Sequence, residues 1–309
     1  MSTARFYRRQ VLRAGTGFAL AAIAGRSWQL AAENPGRIPI GYWPSSSGLP
    51  FFWALQHDEF ARWGVTVEPV SFTTTRAAVA ALVHGQVMGL ANVPAAATLA
   101  LFTLGYPDLF RVVGVLPRHP DMVLDGLLAA PNRKPAARLG VAAERFPLAV
   151  GRRLFPQAGW VPMPIAGAIA AIQRGHIDGF YSLDPLAAGN FQPETILGRT
   201  LLTGEWLGGL ALLRHDFCDR YPTAARRVVT GLQEGMAAVQ REGLRTLAAL
   251  TGYAQSAPDL RLTVWLSRWQ GPDTWSPRAI AQWQANGERL HRLGILPHAP
   301  DLHRLLYRG

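Results

Sequence analysis

The chain has 309 residues, of which 49% are apolar and 17% charged, with a formal net charge of +11. That length accommodates one large or two modest domains, and the apolar content excludes a disordered chain. The positive charge is almost all arginine, with Lys134 the only lysine, and no basic stripe interleaved with aromatics, zinc-ligand spacing or helix-turn-helix pattern goes with it, which excludes a nucleic-acid partner. The single cysteine, Cys218, cannot form a disulfide framework, a CxxC pair or a thiolate metal site, and its flanks make it a small, half-buried structural residue.

In chain order, Arg8-Arg9-Gln10-Val11-Leu12 precedes a short apolar run, Ala14 to Ala24, and no acid occurs before Glu33. A charged start, an apolar centre and small residues follow the plan of an export signal over residues 1–32, and the paired arginines resemble a twin-arginine signal. The run is too short to span a bilayer comfortably. Arg37 to Tyr42 predicts a strand, followed by the polar loop Trp43 to Gly48. Phe51 to Trp63 predicts one helix, closed by Gly64, and Val65 to Val70 a strand. Ser71 to Thr75 leads into a helix near Arg76. A strand over Val87 to Ala91, a turn Asn92-Val93-Pro94, a helix from Ala95 to Leu104 and a β-branched strand from Phe110 to Val115 complete a mainly parallel, helix-covered sheet. Arg118 to Lys134, with the apolar segment Met122 to Ala130, reads as a first crossing into a second lobe. There Arg138 to Ala142 predicts a strand, Pro147 to Ala158 a helix, and Trp160 to Pro164, with two prolines, a short or edge strand. Leu210 to Leu213 is the expected return strand, and Pro222 starts a long helix reaching Gln240 or Leu244. Ser276-Pro277 and Gly294 bracket another helix. Trp265, Trp269, Trp275 and Trp283 sit at helical spacings and read as packing residues.

One pattern occurs twice. Ala77 to Ala96 and Ala168 to Ala187 align with Gly85 on Gly175, Val87 on Ile177 and Gly89 on Gly179. Each reads as a helix, a left-handed glycine stop, a short strand and a turn. Two copies imply two similar α/β lobes rather than a solenoid.

The segments Ile40-Gly41-Tyr42-Trp43-Pro44, Leu49 to Ala54, Phe60 to Glu68, Leu82 to Val87, Arg174 to Gly179, Asp184-Pro185 and Asp216 to Pro222 occur in an order and spacing that resembles a known family. It is that of the periplasmic substrate-binding proteins of nitrate/sulfonate/taurine-type ABC transporters, which is similar to the thiamine-precursor pyrimidine-binding proteins. The resemblance covers roughly Ile38 to Leu302 and implies an α/β, two-lobed periplasmic binding protein fold (type II). Lobe 1 would be built from 37–118 and 206–309 and lobe 2 from 119–205. Met88 departs from the pattern, where the family usually has an acidic residue.

Ligands of open α/β sheets sit beyond the carboxyl ends of the parallel strands. Thr73-Thr74-Thr75 offers hydroxyls at a helix start, where the dipole favours anions, and Ser45-Ser46-Ser47-Gly48 reads either as a second such site or as a flexible loop. Tyr42, Trp43 and Tyr181 are candidate apolar walls. Asn92, Ser182 and Asp184 are candidate polar contacts, and Arg76, Arg118 and Arg145 candidate anion partners. No catalytic group, metal site or cofactor is expected, because no phosphate loop, dinucleotide fingerprint or His cluster is present. The resemblance implies a periplasmic, monomeric protein that captures a small anionic or polar organic solute, sulfonate- or nitrate-like or heterocyclic. Its partner would be an inner-membrane ABC permease. A periplasmic sensor or accessory protein and an enzyme of the same superfamily are the alternatives.

Overall fold

The structure, a computed structural model, describes residues 35–72, 75–93, 108–118, 126–129, 137–141, 145–182, 196–198, 206–253, 268–294 and 296–309. The expected export signal, the helix expected over Ala95 to Leu104, and Thr73, Thr74, Asp184 and Trp265 lie outside the described residues.

Among the described residues, ten strands form two five-stranded sheets. The first joins β1 (Arg37–Tyr42), β2 (Thr66–Ser71), β3 (Gly89–Val93), β4 (Phe110–Arg118) and β10 (Trp206–Arg214) in the order β2-β1-β3-β10-β4. The second joins β5 (Gly126–Ala129), β6 (Arg138–Val141), β7 (Gly159–Pro162), β8 (Gly179–Ser182) and β9 (Ile196–Gly198) in the order β7-β6-β8-β5-β9. Each order repeats the other. In both, three parallel strands are followed by one antiparallel strand that the chain supplies on arriving from the opposite sheet. The apolar crossing segment thus becomes β5, and the return strand becomes β10. Pro69 and Pro162 stand in the edge strands β2 and β7, where a missing N–H leaves no central ladder bond unmade.

The repeat holds at the level of single hydrogen bonds. Helix α3 (Thr75–Val83) ends at Gly85 with φ 70°, and α5 (Ile165–Gln173) at Gly175 with φ 71°. The Gln86 N–H donates to the Ala81 carbonyl at 2.9 Å, as the His176 N–H does to Ala171 at 2.9 Å. The Met88 N–H reaches Pro39 O at 2.7 Å and the Asp178 N–H reaches Arg138 O at 2.8 Å, so each unit is tied to the first strand of its own sheet.

The two copies differ at Met88. Its counterpart Asp178 accepts from the Ala137 and Arg138 N–H groups at 3.2 and 2.8 Å, whereas Met88 packs half-buried on the core. In the first lobe Arg214, at the end of β10, works at this corner. Its guanidinium donates to the Leu82 carbonyl, to Val83 O at 3.1 Å, and to Asp216 at 2.8 and 2.5 Å. A cation there meets the negative end of α3. The bond with Arg214 holds the Asp216 carboxyl below its ordinary range.

The first sheet is covered on both faces. One face packs against α1 (Leu49–Gln56), α2 (Glu59–Arg62) and α7 (Pro222–Glu242), burying Ile38, Ile40, Phe51, Phe52, Phe60, Val228, Leu232 and Met236. The other packs against α3 and α8 (Pro277–Arg292), burying Ala78, Leu82, Leu90, Leu212 and Trp283. The single helix expected over Phe51 to Trp63 is two. Asp58 takes the left-handed region at φ 55°, while the His57 ring stacks on Trp53 with centroids 4.0 Å apart. Ser276 caps α8 by accepting from the Ala279 N–H at 3.1 Å. The second sheet is covered on both faces, by α5 over Ala168, Ala171, Ile172, Ile177 and Phe180 and by α4 (Arg145–Leu154) on the side of Leu139, Val141, Tyr181 and Trp160. The outer edge of β4 is closed by Gln270, which exchanges two backbone bonds with Val115 at 2.9 and 2.8 Å, and by the Tyr307 N–H, which donates to Val112 O at 2.9 Å. This pairing removes a free strand edge. Among the described residues no helix is long and apolar enough to cross a membrane.

Two measurements check this packing. A Cβ added at Gly235 of α7 would lie 2.1 Å from the Pro50 carbonyl oxygen of α1. Gly235→Ala is expected to cost about 1–3 kcal/mol in urea unfolding by forcing the two helices apart, and an unchanged midpoint would mean the contact has slack. Cys218, in α6 (His215–Arg220), is pushed up to about 12 by burial from its ordinary 9.0. The folded chain therefore holds the thiol proton more tightly than the unfolded chain. Its contribution to stability is fully present below pH 9.0 and is lost as pH rises toward about 12. Iodoacetamide at mildly alkaline pH is expected to spare the native thiol and to label it after denaturation; fast native labelling would contradict the burial.

Candidate functional site

Beyond the carboxyl end of β1 the chain turns sharply. The Ser45 N–H donates to Trp43 O at 2.8 Å, the Gly48 N–H donates to Ser45 O at 3.1 Å, and Ser46–Gly48 form one 3-10 turn leading into α1. Such a tight turn of half-buried polar residues needs an anchor. Asn92, in the adjacent strand β3 and 1% exposed, supplies it. Its carbonyl oxygen accepts from the Trp43 N–H at 2.9 Å. Its amide group donates to Trp43 O at 3.0 Å, Ser45 Oγ at 3.3 Å and Ser47 Oγ at 3.1 Å. The Ser45 and Ser47 hydroxyls bond to each other at 2.8 Å, and the buried Trp269 indole N–H donates to Ser47 O at 3.0 Å. One side chain thus holds both backbone groups of Trp43 and both serines.

The structure brings Tyr42, Trp43, Ser45 and Asn92 together, and Ser46 opens the 3-10 turn between them. Tyr42 ends β1 on the α1 side, its ring 5.3 Å from Phe52 and 5.9 Å from Tyr253. Asn92 spends its amide on the loop, so its work is positioning. Thr75 is the first residue of α3. Tyr181 and Ser182 close β8 in the second sheet, where Ser182 pairs with Gly126 of β5. The Tyr181 ring is fully buried, edge-on to Phe155 and Trp160, and so belongs to the packing of its lobe rather than to an open wall. Thr73, Thr74 and Asp184 are outside the described residues.

Helices α3, α4 and α5 follow β2, β6 and β7 and start at the carboxyl ends of those strands. None has an acidic residue in its first turn. Arg76 lies in the first turn of α3, Arg145 begins α4 and Arg118 ends β4. Helix starts without internal acids leave the positive ends of the dipoles available to an anion.

Two contributors were missed in the sequence: Trp269 reads only as a packing residue, and Tyr253 carries no motif that singles it out. A direct check of the anchor is Asn92→Ala. Removing a buried amide with four partners is expected to cost about 2 kcal/mol or more and to speed hydrogen exchange at the Trp43 amide. Unchanged exchange would show that the loop holds itself.

No protein-family model and no curated protein sequence matches the chain. Solved structures do. The periplasmic aliphatic sulphonate-binding protein SsuA of Escherichia coli aligns over 89% of this chain and 93% of its own, with TM-score 0.64 and 15% identity. The alkanesulfonate-binding protein SsuA of Xanthomonas axonopodis pv. citri, bound to MOPS, aligns over 89% and 99%, with TM-score 0.63 and 17% identity. The desulfurization enzyme DszB aligns over 89% and 97%, with TM-score 0.61 and 12% identity. With its repeated strand order and exchanged antiparallel strands, the chain has the two-lobed periplasmic binding protein fold that these structures share.

Proposed function

We propose that the protein is an extracytoplasmic solute-binding protein that captures a small anionic or polar organic solute and delivers it to an ABC permease in the inner membrane. The observation that carries this reading is the pair of like sheets joined by two crossings, from β4 to β5 and from β9 to β10. Such a body closes on a ligand by hinge motion. Lobe 1 comprises 37–118 and 206–309, lobe 2 comprises 119–205, and the protein works as a monomer. Export follows from the amino-terminal 1–32 segment, by the twin-arginine route. The ligand class is supported by helix starts free of acids, by the serine hydroxyls of the anchored loop, and by the sulfonates named for two of the similar structures. Thr73, Thr74, Thr75, Tyr42, Trp43, Ser45, Ser46, Ser182 and Asp184 are the proposed ligand-facing set, with Asn92 behind them and Tyr181 shaping the second lobe.

Turnover is the rival reading, because one structure of this fold is an enzyme by name. A thermal-shift series with nitrate, taurine, alkane- and arylsulfonates, bicarbonate, pyrimidines and aromatic acids separates the two. A ligand at about one hundred times its dissociation constant adds roughly 2.7 kcal/mol of stability. Capture predicts a dose-dependent rise with the ligand recovered chemically unchanged. No shift with any of these solutes overturns capture, and a converted ligand replaces it with catalysis.

A further inference from the structure

The aromatic group beside the anchored loop carries a residue from far along the chain. Tyr253 follows the 3-10 segment Gly243–Leu250 that packs on α1 and α7. Its ring lies on Phe52 at 4.9 Å between centroids and 6° between planes, and meets the Tyr42 ring edge-on at 5.9 Å. Phe52 is fully buried and touches the polar loop: a Cβ at Gly48 would lie 2.5 Å from the Phe52 ring tip and 3.0 Å from the Asn92 amide nitrogen. Tyr42 and Tyr253 are both half-buried, and neither phenol hydroxyl has a hydrogen-bond partner among the described residues. With no such partner, both hydroxyls are left to water or to a ligand.

We infer that Tyr253 is a specificity-determining residue of the solute site, acting with Tyr42 as a pair of phenol donors on an aromatic floor and selecting an oxyanion carried on an aromatic body. The inference rests on the solute-capture reading. The chemistry follows from the parts. Phenol O–H groups donate to an anionic oxygen, and such charge-assisted bonds are stronger than neutral ones. A ring stacked on Phe52 extends a π surface on which a ligand ring gains edge or offset contact. The serines of the loop lie next to this floor and can meet further oxygens of the same head group. An alkyl anion would use the donors without the ring contacts.

The test uses the mature protein with benzenesulfonate, benzoate, ethanesulfonate and nitrate as probes, read by calorimetry and thermal shift. Wild type is expected to bind the aryl anions more tightly than ethanesulfonate or nitrate. Tyr253→Phe keeps the stack on Phe52 and removes one donor, so it should unfold at the wild-type temperature and lose about tenfold in affinity for the aryl anions. Tyr253→Leu should also abolish the preference for aryl over alkyl anions. Thr230→Ala, on the exposed side of α7, is the control expected to bind as wild type. Wild-type binding that Tyr253→Phe leaves unchanged overturns this inference and spares solute capture. Equal affinity for benzenesulfonate and ethanesulfonate overturns the aromatic selection. A wild-type protein that binds none of the four probes overturns the inference, and capture then stands or falls on the remaining solutes of the wider series.

Discussion

The first lobe depends on β10. Parallel strands β3 and β4 do not touch; β10 runs between them, antiparallel to both. A central strand must satisfy N–H and C=O groups on both sides, since a buried unpaired backbone group costs as much as a lost hydrogen bond. The strand that does this is supplied by the chain only after the whole second sheet has been built. Hence neither the β3 edge nor the inner edge of β4 is closed until the chain returns. The end of β10 then fastens the repeat unit: the Arg214 N–H donates to Met88 O at 2.8 Å, and its guanidinium takes the last carbonyls of α3. In the first unit the corner is tied by Arg214 donating to α3 carbonyls, where the second unit uses Asp178 as an acceptor.

The candidate site inherits this order. Asn92 lies in β3, which pairs with β1 through Gly89 and Leu90 and with β10 through Gly89, Leu90 and Val93, so its amide projects from a strand fixed on both sides. A side chain that uses all its polar atoms on protein partners has none left for a ligand. It gives the loop a fixed shape instead, and that shape presents Ser45, Ser47 and the Trp43 backbone as one rigid unit. Preorganisation of this kind lowers the entropic cost of binding. The aromatic group of Tyr42, Phe52 and Tyr253 serves the same purpose from the other side of the loop, through ring contacts in place of hydrogen bonds.

Much of the fold was legible because it is written twice. The glycine stops at Gly85 and Gly175 demand a left-handed backbone, and the alternation into Val87 and Ile177 announces a strand to be buried; both features are local. The break at Asp58 was not legible, because apolar spacing continues through it from Leu55 to Phe60 while the chain is turned by one left-handed residue and a histidine stacked on its own helix. For the site, sequence located the loop ends and Asn92, since carboxyl ends follow from strand order. It could not tell a ligand contact from an anchor, because that depends on which atoms lie within hydrogen-bond reach. Nor could it see Tyr253, which reaches Tyr42 only through tertiary packing of a segment with no motif of its own. Tyr181 shows the converse: its place at a strand end suggested a wall, and two neighbouring rings enclose it.

The lobes are alike in topology, and each described sheet is covered on both faces. The first sheet is sandwiched between α1 and α7 on one face and α3 and α8 on the other, with Trp269 and Trp283 buried among them. The second lies between α5, over Ile172, Ile177 and Phe180, and α4, on the side of Leu139, Val141 and Tyr181. Apolar burial is the main source of stability, at about 25 cal/mol per Å². Burial on both faces of each described sheet fixes the strand ends from which the anchored loop and the helix starts project, so the shape of the candidate site is set by the cores behind it.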